Sequence, residues 1–337
     1  MRVLGIHLAP LVIPLERRLQ TYAVFHHVST FFFLGISSTI FMVFLLFTPL
    51  CWLVLPYWAW YIYDFNQSSR GGRRFEWARR NIIWTWLRDY FPVRLIKTAD
   101  LDPAHNYIFG SHPHGIMGMG AFSNFLTEAN GFSELYPGIT MTLLSLKLMH
   151  YFPIYREYIM ALGVCDVSKE SIQCLMKRKG QAITIVIGGA KEALDASSGC
   201  TRLVLKNRKG FVKLAIQTGA YLVPTFSFGE NEIYTLVNYS PPGSRLRELQ
   251  RKIQQKVGVA PIVINGRGVF NYTLGFLPYR KPITTVVGHP IPVVQNPFPS
   301  QEEVDEVHDR YLSELKSLFD EYKERCGFPD EKLEFVD

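Results

Sequence analysis

The chain has 337 residues, 48% hydrophobic and 19% charged, with a formal net charge of +7. That length admits one large domain or two ordinary ones, and the charge is unevenly placed: +6 over residues 1–100, +9 over 101–300 and −8 over 301–337. No Lys/Arg run, RNP-like stretch or zinc-finger spacing accompanies it, which excludes nucleic acid and leaves a bilayer or an anionic small molecule as partner.

The first predicted elements are apolar helices. Between Arg18 and Asp64 there is no Asp, Glu, Lys or Arg, so residues 19–63 are 45 consecutive positions without a formal charge. A helix rises about 1.5 Å per residue and needs about 20 apolar residues to cross a hydrocarbon core of ~30 Å. The stretch therefore suits two spans, broken near Pro49 or Pro56. A secretory signal would have a shorter apolar core and a small-residue cleavage site, and neither is present. Arg17 and Arg18 precede the stretch and Arg70, Arg73 and Arg74 follow it. The positive-inside bias then predicts a transmembrane hairpin within residues 1–72, with both termini cytosolic. Over 73–100, Phe75, Trp77, Trp84 and Trp86 mix with Arg79, Arg80 and Arg88. That pattern suits an interfacial amphipathic helix in the headgroup layer, or one packed on the domain that follows.

From about Leu101 the chain alternates. Strands are predicted at 107–110, 182–187, 221–228 and 283–287, and helices at 117–128, 168–178, 209–217, 244–256 and 302–324. Alternation of this kind predicts an α/β layered domain over 101–337. The Pro/Ser/Gly patch at 240–244 reads as a loop. In the acidic tail, Val304, Val307, Leu312, Leu315 and Phe319 form the stripe of a solvated amphipathic helix. Cys51, Cys165, Cys174, Cys200 and Cys326 lack pairing or CxxC spacing, which predicts a reducing compartment and no structural metal. Asn238-Tyr239-Ser240 and Asn271-Tyr272-Thr273 match the glycosylation acceptor pattern, and a cytosolic domain would leave both unused.

The most chemical stretch is His112-Pro113-His114-Gly115, directly after the apolar run at 107–110. An imidazole titrating near neutrality at a strand end can take a proton from a hydroxyl. Pro113 fixes φ between the rings, and Gly115 allows a sharp turn. A His-x-His metal pair lacks Cys or carboxylate ligands at suitable spacing, so no metal is predicted. Gly115, Gly118 and Gly120 have the wrong spacing for a dinucleotide loop. A turn with two incidental histidines remains the alternative.

Nine blocks in order carry a resemblance. They are Gly71-Gly72-Arg73-Arg74, Asp89-Tyr90-Phe91-Pro92, the block from His112 to Gly115, Arg156-Glu157-Tyr158-Ile159-Met160, and Gly188-Gly189-Ala190-Lys191-Glu192-Ala193. Then come Arg208-Lys209-Gly210-Phe211, Val223-Pro224 with Phe226 to Asn231, Gly266-Arg267-Gly268, and Pro282 to Gly288. Together they resemble the diacylglycerol acyltransferase 2 family, which includes the monoacylglycerol and wax-alcohol acyltransferases. The resemblance implies a membrane-anchored, glycerolipid-acyltransferase-like fold that moves an acyl group from acyl-CoA to an acylglycerol hydroxyl. It implies His112 and His114 as catalytic residues and no cofactor, acyl-CoA being a substrate.

In the wider glycerolipid acyltransferase pattern an Asp follows five residues after the catalytic His. Here Met117 and Met119 stand at that distance from His112 and His114, so any carboxylate partner comes from elsewhere, Glu192 and Glu230 being the candidates. Gly115 completes the supporting set, as a corner offering backbone N–H groups to the oxyanion. Arg208 and Lys209 precede an apolar helix and suit the phosphates of coenzyme A, with a solvated basic turn as the alternative. Arg267, between two glycines, suits a phosphate or carboxylate, or is a plain turn.

A lipase would need a G-x-S-x-G elbow, and the sequence has none. A non-catalytic lipid-droplet scaffold would leave the histidines without a purpose. The acceptor stays open among monoacylglycerol, diacylglycerol and, with least support, fatty alcohol. The expected location is the endoplasmic reticulum membrane, multi-pass, with lipid droplets as a second site. Self-association into a homo-oligomer is left open by the sequence.

Overall fold

The computed structural model describes every residue except 1, 4, 11, 197, 198 and 238–242, and the side chains of 2, 3 and 257 are likewise not described. The acceptor pattern at Asn238 and most of the 240–244 patch lie outside the described residues. At the second acceptor pattern, Asn271 Oδ1 accepts the backbone N–H groups of Thr273 at 3.2 Å and Leu274 at 2.8 Å, closing a turn.

The fold is α/β. A seven-stranded sheet runs in the order Arg94–Lys97, Thr284–Val287, Tyr221–Phe228, Tyr107–His112, Gln181–Val186, Thr140–Ser145, Cys165–Asp166. The last five run parallel to one another, whereas Thr284–Val287 lies antiparallel to Tyr221–Phe228 and parallel to Arg94–Lys97. All six residues of Tyr107–His112 are buried, as expected of a central strand covered on both faces. The predicted strand extends two residues further than its apolar run, so His112 is a strand residue. Cys200–Val204 pairs in parallel with Lys332–Val336 in a separate two-stranded ribbon.

Helix Gln301–Tyr322 starts at Ser300, whose side chain accepts the Glu303 N–H. Its buried face is Val304, His308, Tyr311, Leu315, Leu318 and Phe319. Far from being a solvated tail, it packs on Tyr221–Phe228 and on helix Gly210–Thr218. Phe319 meets Phe226 edge-on at 5.0 Å and stacks on Phe228 at 5.6 Å.

The N-terminal part differs from a symmetric pair of spans. One continuous helix covers Leu15–Leu46, 32 residues, with a π-helical stretch at Thr30–Leu34. It is the one helix among the described residues long and apolar enough to cross a membrane. Its first half packs on helix Ile82–Tyr90, burying Ala23, Val24 and Val28, while Ile36, Ile40 and Phe44 of its second half are exposed. The chain breaks at 47–50, and a second apolar helix, Cys51–Tyr63, carries Pro56 in its interior and packs against Gly35–Leu46. Asp64 then ties the helix end to the domain: Arg73 meets it at 2.9 Å and the fully buried Arg156 at 3.0 Å.

Residues 73–100 form two short helices, Glu76–Arg79 and Ile82–Tyr90, followed by the edge strand Arg94–Lys97. Trp84, Leu87 and Tyr90 face the domain and Trp77 is exposed. The segment is therefore packed on the domain along most of its apolar side.

Candidate active site

The corner after the central strand gathers most of the predicted site. Parallel strands place their C-terminal ends, and the loops that leave them, on one edge of the sheet. His112 ends the strand, and a cis His112–Pro113 bond leads to His114 and to Gly115 at φ +56°.

The two histidines occupy different environments. His112 is fully buried, and its Nε2 lies 2.9 Å from the hydroxyl of Tyr311. That hydroxyl also donates to the Gly110 carbonyl at 3.3 Å. A carbonyl can only accept, so satisfying both contacts puts a hydrogen on His112 Nε2 and leaves Nδ1 bare. Nδ1 is buried and has no partner among the described residues. Burial pushes the His112 ring down to about 3, so it is neutral at physiological pH. His114 is half-buried. Its Nδ1 lies 3.0 Å from the Gly115 carbonyl, which fixes the hydrogen there and leaves the Nε2 lone pair free. Desolvation, and secondarily the Arg208 charge, lower its pKa, against the raising effect of the Gly115 carbonyl.

Neither predicted carboxylate touches an imidazole. Glu192 is buried and spans two backbone groups, Oε2 accepting the His114 N–H and Oε1 the Val204 N–H, each at 2.8 Å. It folds back over Gly188, where a Cβ would lie 1.7 Å from its Cδ. Glu230, equally buried, accepts the N–H groups of Met119 at 2.8 Å and Gly120 at 2.7 Å. It thereby caps the helical segment 119–126 at its positive end. A Cβ on Gly115 would stand 2.6 Å from Glu230 Cγ, so that position needs glycine twice over, for φ and for space. Burial pushes both carboxyls up to about 7 against their backbone hydrogen bonds. The two glutamates thus hold the backbone on either side of the histidine corner. They also engage the N–H groups of His114, Met119 and Gly120, which are then not available to an oxyanion.

The three predicted cations separate. Arg208 Nη2 lies 3.5 Å from the Gly188 carbonyl, and its charge acts on both His114 and Glu192. Lys209 pairs with Asp305 of the C-terminal helix at 2.7 Å. Arg267 has other neighbours: its guanidinium stacks on Tyr272 at 4.6 Å and it lines a cleft with Arg17, Arg18 and Arg280. Among the described residues no cluster of three or more His, Cys, Asp or Glu could hold a metal.

The residue that sequence reasoning missed is Tyr311. Its hydroxyl fits because Gly110 has no side chain, a Cβ there lying 1.9 Å from the phenolic oxygen.

The family model described as diacylglycerol acyltransferase matches residues 43–336. The chain is 47% identical to 2-acylglycerol O-acyltransferase 1 of Bos taurus, over 96% of this chain and 97% of that protein. It is 45% identical to diacylglycerol O-acyltransferase 2 of Mus musculus, over 94% of this chain and 82% of that protein. With the enzyme of the same name from Danio rerio the identity is 46%, covering 92% and 87%. The chain belongs to the diacylglycerol acyltransferase family. Among solved structures, a 1-acyl-sn-glycerophosphate acyltransferase from Thermotoga maritima aligns over 90% of this chain and 97% of its own, at 16% identity and TM-score 0.39.

Proposed function

We propose that this protein transfers a fatty acyl group from acyl-CoA to the free hydroxyl of a mono- or diacylglycerol, with His114 as general base. The observation that carries the assignment is the His114 ring itself: half-buried, neutral, and with Nδ1 turned to the Gly115 carbonyl, so that Nε2 carries the lone pair of a base. Nε2 takes the hydroxyl proton as the alcohol oxygen attacks the thioester carbon, and coenzyme A leaves as the thiol after receiving that proton. His112, with its Tyr311 contact, positions the corner from inside, and Glu192 and Glu230 hold its backbone. In this reading Arg208, exposed and beside the Gly188 carbonyl, meets a coenzyme A phosphate, while Lys209 is paired with Asp305.

The acceptor is neutral and dissolves in the bilayer, which is why the exposed apolar helices belong to the reading. The Cys51–Tyr63 helix measures roughly 20 Å, short of a ~30 Å hydrocarbon core. Such a return helix favours a hairpin that enters and leaves on one face, with both termini and the site cytosolic in the endoplasmic reticulum. Microsomes containing the protein, given labelled acyl-CoA and in parallel monoacylglycerol, diacylglycerol or fatty alcohol, test the activity and its acceptor. Labelled product with either acylglycerol is the expected result, and none with any acceptor refutes the reading. Protection of a tag at Met1 or Asp337 from protease in sealed microsomes would refute the topology.

A further inference from the structure

The cleft that Arg267 lines lies on the N-terminal side, between residues 8–10 and 12–14, the first turns of helix Leu15–Leu46 and the segment 267–281. We infer that it binds the headgroup of an anionic phospholipid. Its volume is about 1250 Å³, and five cations line it: Arg17, Arg18, Arg267, Arg280 and Lys281. No Asp or Glu is among its described lining residues. None of the five makes an ion pair among the described residues, although Arg267 is only 8% exposed.

Two of these cations are held in place by uncharged groups. Arg267 stacks on Tyr272 at 4.6 Å, and Arg280 lies over Tyr90 at 4.1 Å while bonding the Gln20 side chain. Fixed guanidinium groups without a carboxylate are a preorganised anion site. The walls are otherwise mostly apolar, with hydroxyls from Thr21 and three tyrosines, and Val12, Phe25 and Phe270 are exposed at them. Cations beside exposed apolar side chains, at the start of the helix long enough to cross a membrane, match the depth at which phosphates meet acyl chains. The acyl donor is the weaker occupant, because the cation whose charge reaches His114 and Glu192 is Arg208, which does not line this cleft. The inference rests on the membrane placement proposed above and is independent of the acyl-transfer chemistry.

The test uses purified full-length protein in nonionic detergent, mixed in turn with phosphatidylglycerol, phosphatidylcholine and an acyl-CoA, with bound lipid read by native mass spectrometry. The comparison chain carries Arg17→Gln, Arg18→Gln and Lys281→Gln, three exposed positions whose loss leaves Arg267, Arg280 and the fold in place. Wild type should retain phosphatidylglycerol over phosphatidylcholine, and the triple variant should retain it roughly 100-fold less, at about fivefold per cation. The variant's KM for acyl-CoA should be unchanged. Equal retention by both chains, or equal retention of both phospholipids, overturns the site. A raised acyl-CoA KM in the variant with unaltered phosphatidylglycerol retention gives the cleft to the donor instead. Selective retention by a chain without transferase activity would leave this site standing and remove the functional reading.

Discussion

Tyr311 places its hydroxyl 2.9 Å from Nε2 of His112 across a sequence separation of 199 residues, and the absence of a side chain at Gly110 makes the contact sterically feasible. The C-terminal helix is thereby joined to the strand that carries the histidine corner. Both groups are fully buried, so neither has water as a substitute partner.

Tyr311→Phe should therefore cost about 1–3 kcal/mol of stability, because it strands the hydrogen on His112 Nε2 in an apolar interior. With His112 in its proposed role as inner support of His114, turnover should fall as well. Thermal unfolding and acyl-transfer rates on the same preparation check this, and an unchanged melting temperature would mean that the contact contributes nothing. Gly110→Ala should be worse, because its Cβ would sit 1.9 Å from the Tyr311 oxygen and 2.6 Å from Ile187 Cδ1. Overpacking of this kind costs about 1–3 kcal/mol or more, seen as reduced expression and an early transition.

The buried glutamates predict a pH dependence of stability with a definite sign. Each carboxyl is raised from 4.5 to about 7, so the folded state binds more protons than the unfolded chain between those values. The stability they contribute is present below about 4.5 and is lost as pH rises through about 7. Glu192→Gln should flatten that slope in a melting-temperature series, while lowering stability at pH 5 because an amide oxygen can replace only one of the two acceptors. A series with the wild-type slope would show that Glu192 does not titrate there.

The basic pair should behave unequally. Arg208→Gln should raise the KM for acyl-CoA by about tenfold, the scale of one charge-assisted hydrogen bond. Lys209→Gln should raise it less, because Asp305 already engages that ammonium. Equal effects, or a fall in kcat with KM unchanged, would place the donor phosphates elsewhere.

The four strands legible in the sequence are those with nearly continuous apolar runs, the signature of a strand covered on both faces. Arg94–Lys97 and Lys332–Val336 escaped because four or five residues of mixed polarity at an edge look the same as a loop, and Thr140–Ser145 because its threonines dilute the run. The histidine corner, the two glutamates and Arg208 were legible as motif residues, but their partners were not. Spacing cannot show that Glu192 and Glu230 turn to backbone N–H groups instead of imidazoles. Tyr311 left a faint signal, since it continues the helical seam of Val304, Leu315 and Leu318, yet a tyrosine in an acidic stretch reads as an exposed aromatic.

The most direct test of the account is acyl transfer by the His114→Ala protein, assayed with labelled acyl-CoA and an acylglycerol at matched expression and membrane insertion. Loss of a general base should lower turnover by about 10²–10⁴-fold while acyl-CoA binding persists. Turnover near that of the wild type would contradict the assignment of the corner as the active site.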